Sequence, residues 1–114
     1  MSIVIWHNPR CSKSREALKL LQERGVDPEV RLYLDNSPDV EELEAAAKAL
    51  GLEPLGMMRT KEKAFAEKGL SKEMQHDLLF AAMAAEPKLI ERPIVFNGDK
   101  AALGRPPEAV LDIL

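Results

Sequence analysis

Ser2-Ile3-Val4-Ile5-Trp6-His7-Asn8-Pro9-Arg10-Cys11-Ser12-Lys13-Ser14-Arg15 is the stretch on which the reading of this chain turns. Residues 2–6 are a β-branched and aromatic run, the pattern of a short strand buried on both faces. Asn8-Pro9 ends it with a turn-forming pair. A helix then begins at Cys11 or Ser12 and continues to Arg24, with Ala17, Leu18, Leu20 and Leu21 on its inner stripe. Gly25 stands where a left-handed helix cap belongs. Val30, Leu32 and Leu34 alternate with Arg31, Tyr33 and Asp35, which predicts a second strand. Strand, helix and strand in so short a span make a βαβ unit, with parallel strands and a right-handed crossover.

The middle of the chain reads as helical. Ser37-Pro38-Asp39 offers a cap, a first-turn proline and an acidic first turn for a helix ending at Leu50, before Gly51. A second helix is expected over 55–68, closed by Gly69, and a third over 72–86, closed by Pro87. The last segment changes character. Residues 93–96, the pair Asn97-Gly98 and residues 99–103 form a hairpin signature, with Asn-Gly suited to a type I′ turn. Gly104-Arg105-Pro106-Pro107 breaks the second strand, and residues 108–114 form a short closing helix. The order is βαβ, a helical insertion over about 37–88, then ββα: one α/β domain, 1–114, with a mixed four-stranded sheet.

Composition narrows the function. The 114 residues are 46% hydrophobic and 31% charged, with 16 Lys+Arg against 19 Asp+Glu and a net charge of −3. That balance supplies no global basic field, so binding to a nucleic-acid backbone is not expected. The longest strongly apolar stretch, 78–85, is far too short to span a bilayer. The first residues lack the basic start and cleavage region of a signal peptide, which points to the cytoplasm. One cysteine cannot close a disulfide within the chain, and zinc sites built on two or more cysteines are excluded by count.

That cysteine occupies an informative position. A lone cysteine in an ordinary domain is usually a small buried hydrophobe. Cys11 instead follows a strand-loop at the mouth of a helix, between Arg10 and Ser12-Lys13. First-turn N–H groups and the helix dipole favour an anion there, and His7, Arg10, Lys13 and Arg15 are within four residues. His7 reads as an ion-pair partner for the thiolate. A phosphatase loop would need arginine at the position of Ala17, and a dithiol oxidoreductase would need a second cysteine where Ser14 stands. The arrangement is monothiol, so a thiol from another molecule must resolve any adduct of Cys11; glutathione is the obvious cytoplasmic source. Arg92-Pro93 precedes a strand as a candidate cis bond. Arg92 and Arg105, both beside prolines at strand boundaries, can aim guanidinium groups at an oxyanion. Met57, Met58, Met74 and Met83 read as core filler and His76 as a solvent-facing residue. Trp6 is expected beneath the Cys11 loop.

The motif from His7 to Arg15, with Glu91-Arg92-Pro93-Ile94-Val95 and Gly104-Arg105-Pro106 downstream, resembles the glutaredoxin-coupled arsenate reductase family. The resemblance extends over essentially the whole chain, including Tyr33-Leu34 and Val110-Leu111-Asp112-Ile113-Leu114. It implies a thioredoxin-like fold with a helical insertion. It also implies that the Cys11 thiolate attacks the arsenic of arsenate, with Arg59, Arg92 and Arg105 holding the oxyanion. His7 would favour the thiolate, and the Ser14 hydroxyl would hydrogen-bond it. Glutathione, as co-substrate, then attacks the arsenic; glutaredoxin takes the glutathione from the Cys11 mixed disulfide, and arsenite leaves. No bound cofactor is implied. The chain has Cys11-Ser12-Lys13-Ser14-Arg15 where resistance-operon members read Cys-Gly-Thr-Ser-Arg, and Trp6 where tyrosine is expected. Two alternatives stand beside this reading. One is a glutathione-linked reductase with another substrate. The other is a regulator that contacts RNA polymerase and senses redox state through a Cys-x-x-Cys pair, a switch that Ser14 removes.

Overall fold

The computed structural model describes residues 2–114; Met1, the first residue of the expected domain, lies outside them. Four strands form one mixed sheet: β1 (Ile3–Trp6), β2 (Glu29–Arg31), β3 (Ile94–Asn97) and β4 (Lys100–Leu103), in the order β2-β1-β3-β4. β1 is parallel to β2 and antiparallel to β3, which pairs antiparallel with β4. The helix between the parallel strands, α1, spans Ser12–Glu23. Ile5 faces Val95 across the β1–β3 ladder, and both pack with Ala17 and Leu21 of α1 and with Val110 of a closing 3-10 helix, Pro107–Ile113. This apolar core, with Ile5, Ala17, Leu21, Val95 and Val110 all fully buried, fixes α1 against the sheet.

The register decides what gathers at one end of the sheet. Trp6, the last residue of β1, is opposite Ile94, the first of β3, and Ile94 is opposite Leu103, the last of β4. The chain leaving β1 toward Cys11, the chain entering β3 from Arg92, and the chain leaving β4 at Arg105 therefore meet at the same edge. Both Arg92-Pro93 and Arg105-Pro106 are cis peptide bonds. The first was expected from sequence; the second was not.

Several elements differ from their sequence reading. The second strand ends at Arg31 instead of continuing through Leu34, because the chain turns at 32–35, with the Asp35 and Asn36 N–H groups donating to the Leu32 carbonyl. Val30, Leu32 and Leu34 are consequently exposed and Tyr33 is buried, the reverse of the alternation. Arg31 lies over the Trp6 ring at 5.6 Å, and Trp6 packs on Phe96 with centroids 4.8 Å apart. Trp6 is thus part of a stack across the sheet. Asn97 is a strand residue; the hairpin turn is Gly98-Asp99, with positive φ at Gly98 alone, the pattern of type II′ rather than I′. The closing helix is 3-10 throughout and starts at Pro107.

Ser37–Glu91 clusters as a compact unit distinct from residues 2–36 with Arg92–Leu114. Its first helix, α2 (Val40–Leu50), is capped by Asp39 rather than Ser37. Asp39 accepts from the Glu42 N–H while Glu42 reaches back to the Asp39 N–H. Ser37 instead donates to the Ala84 carbonyl at 2.8 Å. The helix expected over 55–68 is broken. A 3-10 turn, Pro54–Met57, leads into an extended Met58 that bridges Ile90, and only α3 (Lys63–Glu67) is helical. Pairing wins over local helical pattern here: the Arg59 N–H donates to the Leu89 carbonyl and the Glu91 N–H to the Met57 carbonyl, burying Met57 and Met58. The third helix, α4, covers only His76–Ala85 and leaves His76 exposed.

Gly104 ties the fold to the site. Its N–H donates to the Pro93 carbonyl at 2.9 Å, and a Cβ on it would lie 2.5 Å from Pro93 Cγ. Gly104→Ala is expected to cost about 1–3 kcal/mol through overpacking. Urea denaturation should show a lowered midpoint with an unchanged slope.

Candidate active site

Cys11 is the N-cap residue of α1, in an extended conformation (φ −96°, ψ 123°). Its own N–H donates to the Asn8 carbonyl at 3.0 Å, and its carbonyl accepts the first helical bond from Arg15. The thiol is half-buried. Burial alone would push it up. The Ser14 N–H, the nearby Arg92 charge, the Lys13 N–H and a hydrogen bond from the Arg92 side chain outweigh burial and hold the thiol below the ordinary cysteine range. Two backbone N–H groups of the helix mouth and one arginine thus act on the thiol.

Arg92 reaches Cys11 because the chain enters β3 beside the end of β1. Arg105, following β4, donates through Nη1 to the Arg92 carbonyl at 3.3 Å. The two arginines thus meet at one sheet end, with Arg105 exposed and Arg92 half-buried. Arg59 belongs to the Ser37–Glu91 unit, where it forms an ion pair with Glu62 at 3.2 Å.

His7 and Ser14 sit beside the thiol in a different relation from that expected. Ser14 is fully buried on the inner stripe of α1, and its hydroxyl meets His7 Nδ1 at 2.7 Å and the Asn8 N–H at 3.0 Å. Ser14 therefore serves Cys11 through its backbone N–H, while its hydroxyl serves His7. Burial, and then the Arg15 charge, lower the His7 pKa from its ordinary 6.5. A group so placed is poorly suited to be an imidazolium partner of the thiolate.

Asn8, read from sequence only as part of a turn, holds the loop at three points. Its carbonyl accepts from Cys11, its N–H donates to Ser14, and its Oδ1 accepts from the Arg10 N–H at 3.0 Å. Its place before proline, three residues from a helix cap, is the available signal for an Asx-type turn. Arg15 closes the same loop by donating to the Pro9 carbonyl at 2.8 Å. Among the described residues, no group of three or more His, Cys, Asp or Glu side chains could hold a metal ion, and no helix is long and apolar enough to cross a membrane.

Two outcomes follow from these electrostatics. Arg92→Ala should raise the Cys11 pKa and slow its alkylation by iodoacetamide at pH 7 by roughly tenfold, measured as a rate–pH profile. Because folding lowers the His7 pKa, its contribution to stability is present above pH 6.5 and is lost as pH falls below that value. Urea midpoints taken from pH 7.5 down to pH 5 should therefore fall more steeply for the wild type than for His7→Gln.

The sequence profile of the ArsC family matches residues 6–113. An arsenate reductase of Haemophilus influenzae is 49% identical over 116 residues, covering 100% of both chains. An arsenate reductase of Neisseria meningitidis is 50% identical over 114 residues, covering 98% of this chain and 97% of the relative. The solved structure of an arsenate reductase from Vibrio cholerae superposes with a TM-score of 0.96 at 55% identity, covering 100% of this chain and 98% of that one. With its mixed four-stranded sheet, its thioredoxin-like order of elements and a match across nearly its whole length, the chain belongs to the ArsC family.

Proposed function

We propose that this protein is an arsenate reductase that uses Cys11 as its nucleophile and draws its electrons from glutathione and glutaredoxin in the cytoplasm. The observation that carries the reading is the seat of the half-buried Cys11 as the N-cap residue of α1, with Arg92 beside it and Arg105 hydrogen-bonded to the Arg92 carbonyl. Such a site serves both as thiolate and as oxyanion receptor, and arsenate is the substrate named for relatives at about half identity.

In the proposed sequence the Cys11 thiolate forms a bond to arsenic(V), and one arsenate oxygen leaves, taking protons to become water. Arg92 and Arg105 balance the charge on the remaining oxygens. Glutathione then forms a second sulfur–arsenic bond, displacing another oxygen. The two sulfurs next join each other. Of the four electrons in the two sulfur–arsenic bonds, two make the disulfide and two stay on arsenic as its lone pair. Water restores the displaced oxygen. In sum, arsenate and two thiols give arsenite, one mixed disulfide and one water. Glutaredoxin's thiolate attacks the glutathione sulfur and frees Cys11. The single cysteine of the sequence supports this division of labour, because no second thiol of the chain can resolve the adduct. The site requires no bound cofactor.

The test is a coupled assay with arsenate, glutathione, glutaredoxin and glutathione reductase, followed by loss of NADPH. Arsenate-dependent turnover is expected in the wild type and should be abolished in Cys11→Ser. Absence of turnover from a protein whose Cys11 still titrates as an acidic thiol would reject arsenate as the substrate.

A further inference from the structure

The contacts of Ser14 determine what His7 does. Ser14 Oγ is fully buried, and its two neighbours are the Asn8 N–H at 3.0 Å and His7 Nδ1 at 2.7 Å. An amide N–H can only donate, so it occupies a lone pair of the hydroxyl and leaves the hydroxyl proton to find an acceptor. A buried donor without one is strongly disfavoured. His7 Nδ1 is the acceptor within reach. We infer that His7 works as a neutral imidazole protonated at Nε2, accepts the Ser14 hydroxyl proton at Nδ1, and is a positioning residue that acts on Cys11 only through Ser14.

The geometry gives that bond a purpose. Ser14 belongs to the first turn of α1, and its backbone N–H is one of the groups that hold the Cys11 pKa down. The Asn8 carbonyl holds the Cys11 N–H, and the Asn8 N–H is held by the Ser14 hydroxyl. His7 anchors this node from β1, whose ladder to β2 is prolonged by the His7 N–H donating to the Arg31 carbonyl at 2.9 Å. The sulfur and the backbone of Cys11 are thereby located relative to a rigid strand. An imidazolium would break the arrangement. Its Nδ1–H would point at Oγ, and the hydroxyl would lose the acceptor it has in His7 Nδ1. Arg15, whose charge also disfavours protonation of His7, acts in the same direction.

The inference rests on Cys11 being a reactive thiol, and its test uses no arsenate, so failure of the proposed substrate would leave it standing. Long-range proton–nitrogen correlation NMR on protein carrying 15N-histidine, with His76→Gln to assign the two rings, reads the tautomer directly. The expected result at pH 7.5 is an unprotonated Nδ1 and a protonated Nε2 for His7. A protonated Nδ1, in either the neutral or the cationic ring, overturns the inference. Alkylation of Cys11 by iodoacetamide across pH then reads the coupling. His7→Gln should raise the Cys11 midpoint enough to slow the reaction at pH 7 by roughly three- to tenfold, and Ser14→Ala should do the same. In the Ser14→Ala background, His7→Gln should change nothing further. Additive effects would establish a direct action of His7 on the thiol and reject the relay, as would a His7→Gln variant that is folded yet unchanged in its profile. Were His7→Gln unable to fold, the tautomer measured on a protein with native His7 would still decide the matter.

Discussion

The anion site at the first turn of α1 is the constraint on which the rest of this protein depends. A thiolate is stable beside apolar core only if fixed donors replace the water it loses. Here the donors are the Ser14 and Lys13 N–H groups and the Arg92 guanidinium, which together outweigh a desolvation that alone would protonate the sulfur. Backbone donors cost little reorganisation, because helix formation has already aimed them. The helix must therefore be held rigidly, and the buried contacts of Ala17 and Leu21 with Ile5, Val95 and Val110 hold it.

Sheet topology supplies the remaining charge. The antiparallel pairing of β1 with β3 places residue 92 beside the loop leaving β1, and the β3–β4 hairpin returns residue 105 to the same edge. Positions far apart in sequence thus become neighbours through two short ladders. The close approach of Gly104 to Pro93 shows how tightly that edge is packed. At that edge Cys11 is half-buried and Arg105 is exposed.

Much of this was legible in sequence because it is local. The strand–turn–helix at the start of the chain, the place of Cys11 at a helix mouth, and the cis Arg92-Pro93 bond are properties of a few adjacent residues. What was not legible depends on partners. Ser14 looked like a hydroxyl for the thiolate, but burial on α1 gives that hydroxyl to His7 and leaves the backbone N–H for Cys11. His7 looked like a cation, but the same burial favours its neutral form. Tyr33 and Leu32 exchanged their expected environments because the chain turns after Arg31, a choice made by hydrogen bonds to the Leu32 carbonyl rather than by alternation. The broken helix after Pro54 reflects pairing of 57–59 with 89–91, which no local pattern announces.

In the proposed reaction electrons reach arsenic through Cys11 Sγ, and intact-protein mass spectrometry tests that most directly. Protein incubated with arsenate and glutathione, without glutaredoxin, should gain the mass of one glutathione on Cys11. The gain should require arsenate and reverse when glutaredoxin is added. A Cys11 that alkylates readily yet acquires no arsenate-dependent glutathione would contradict it.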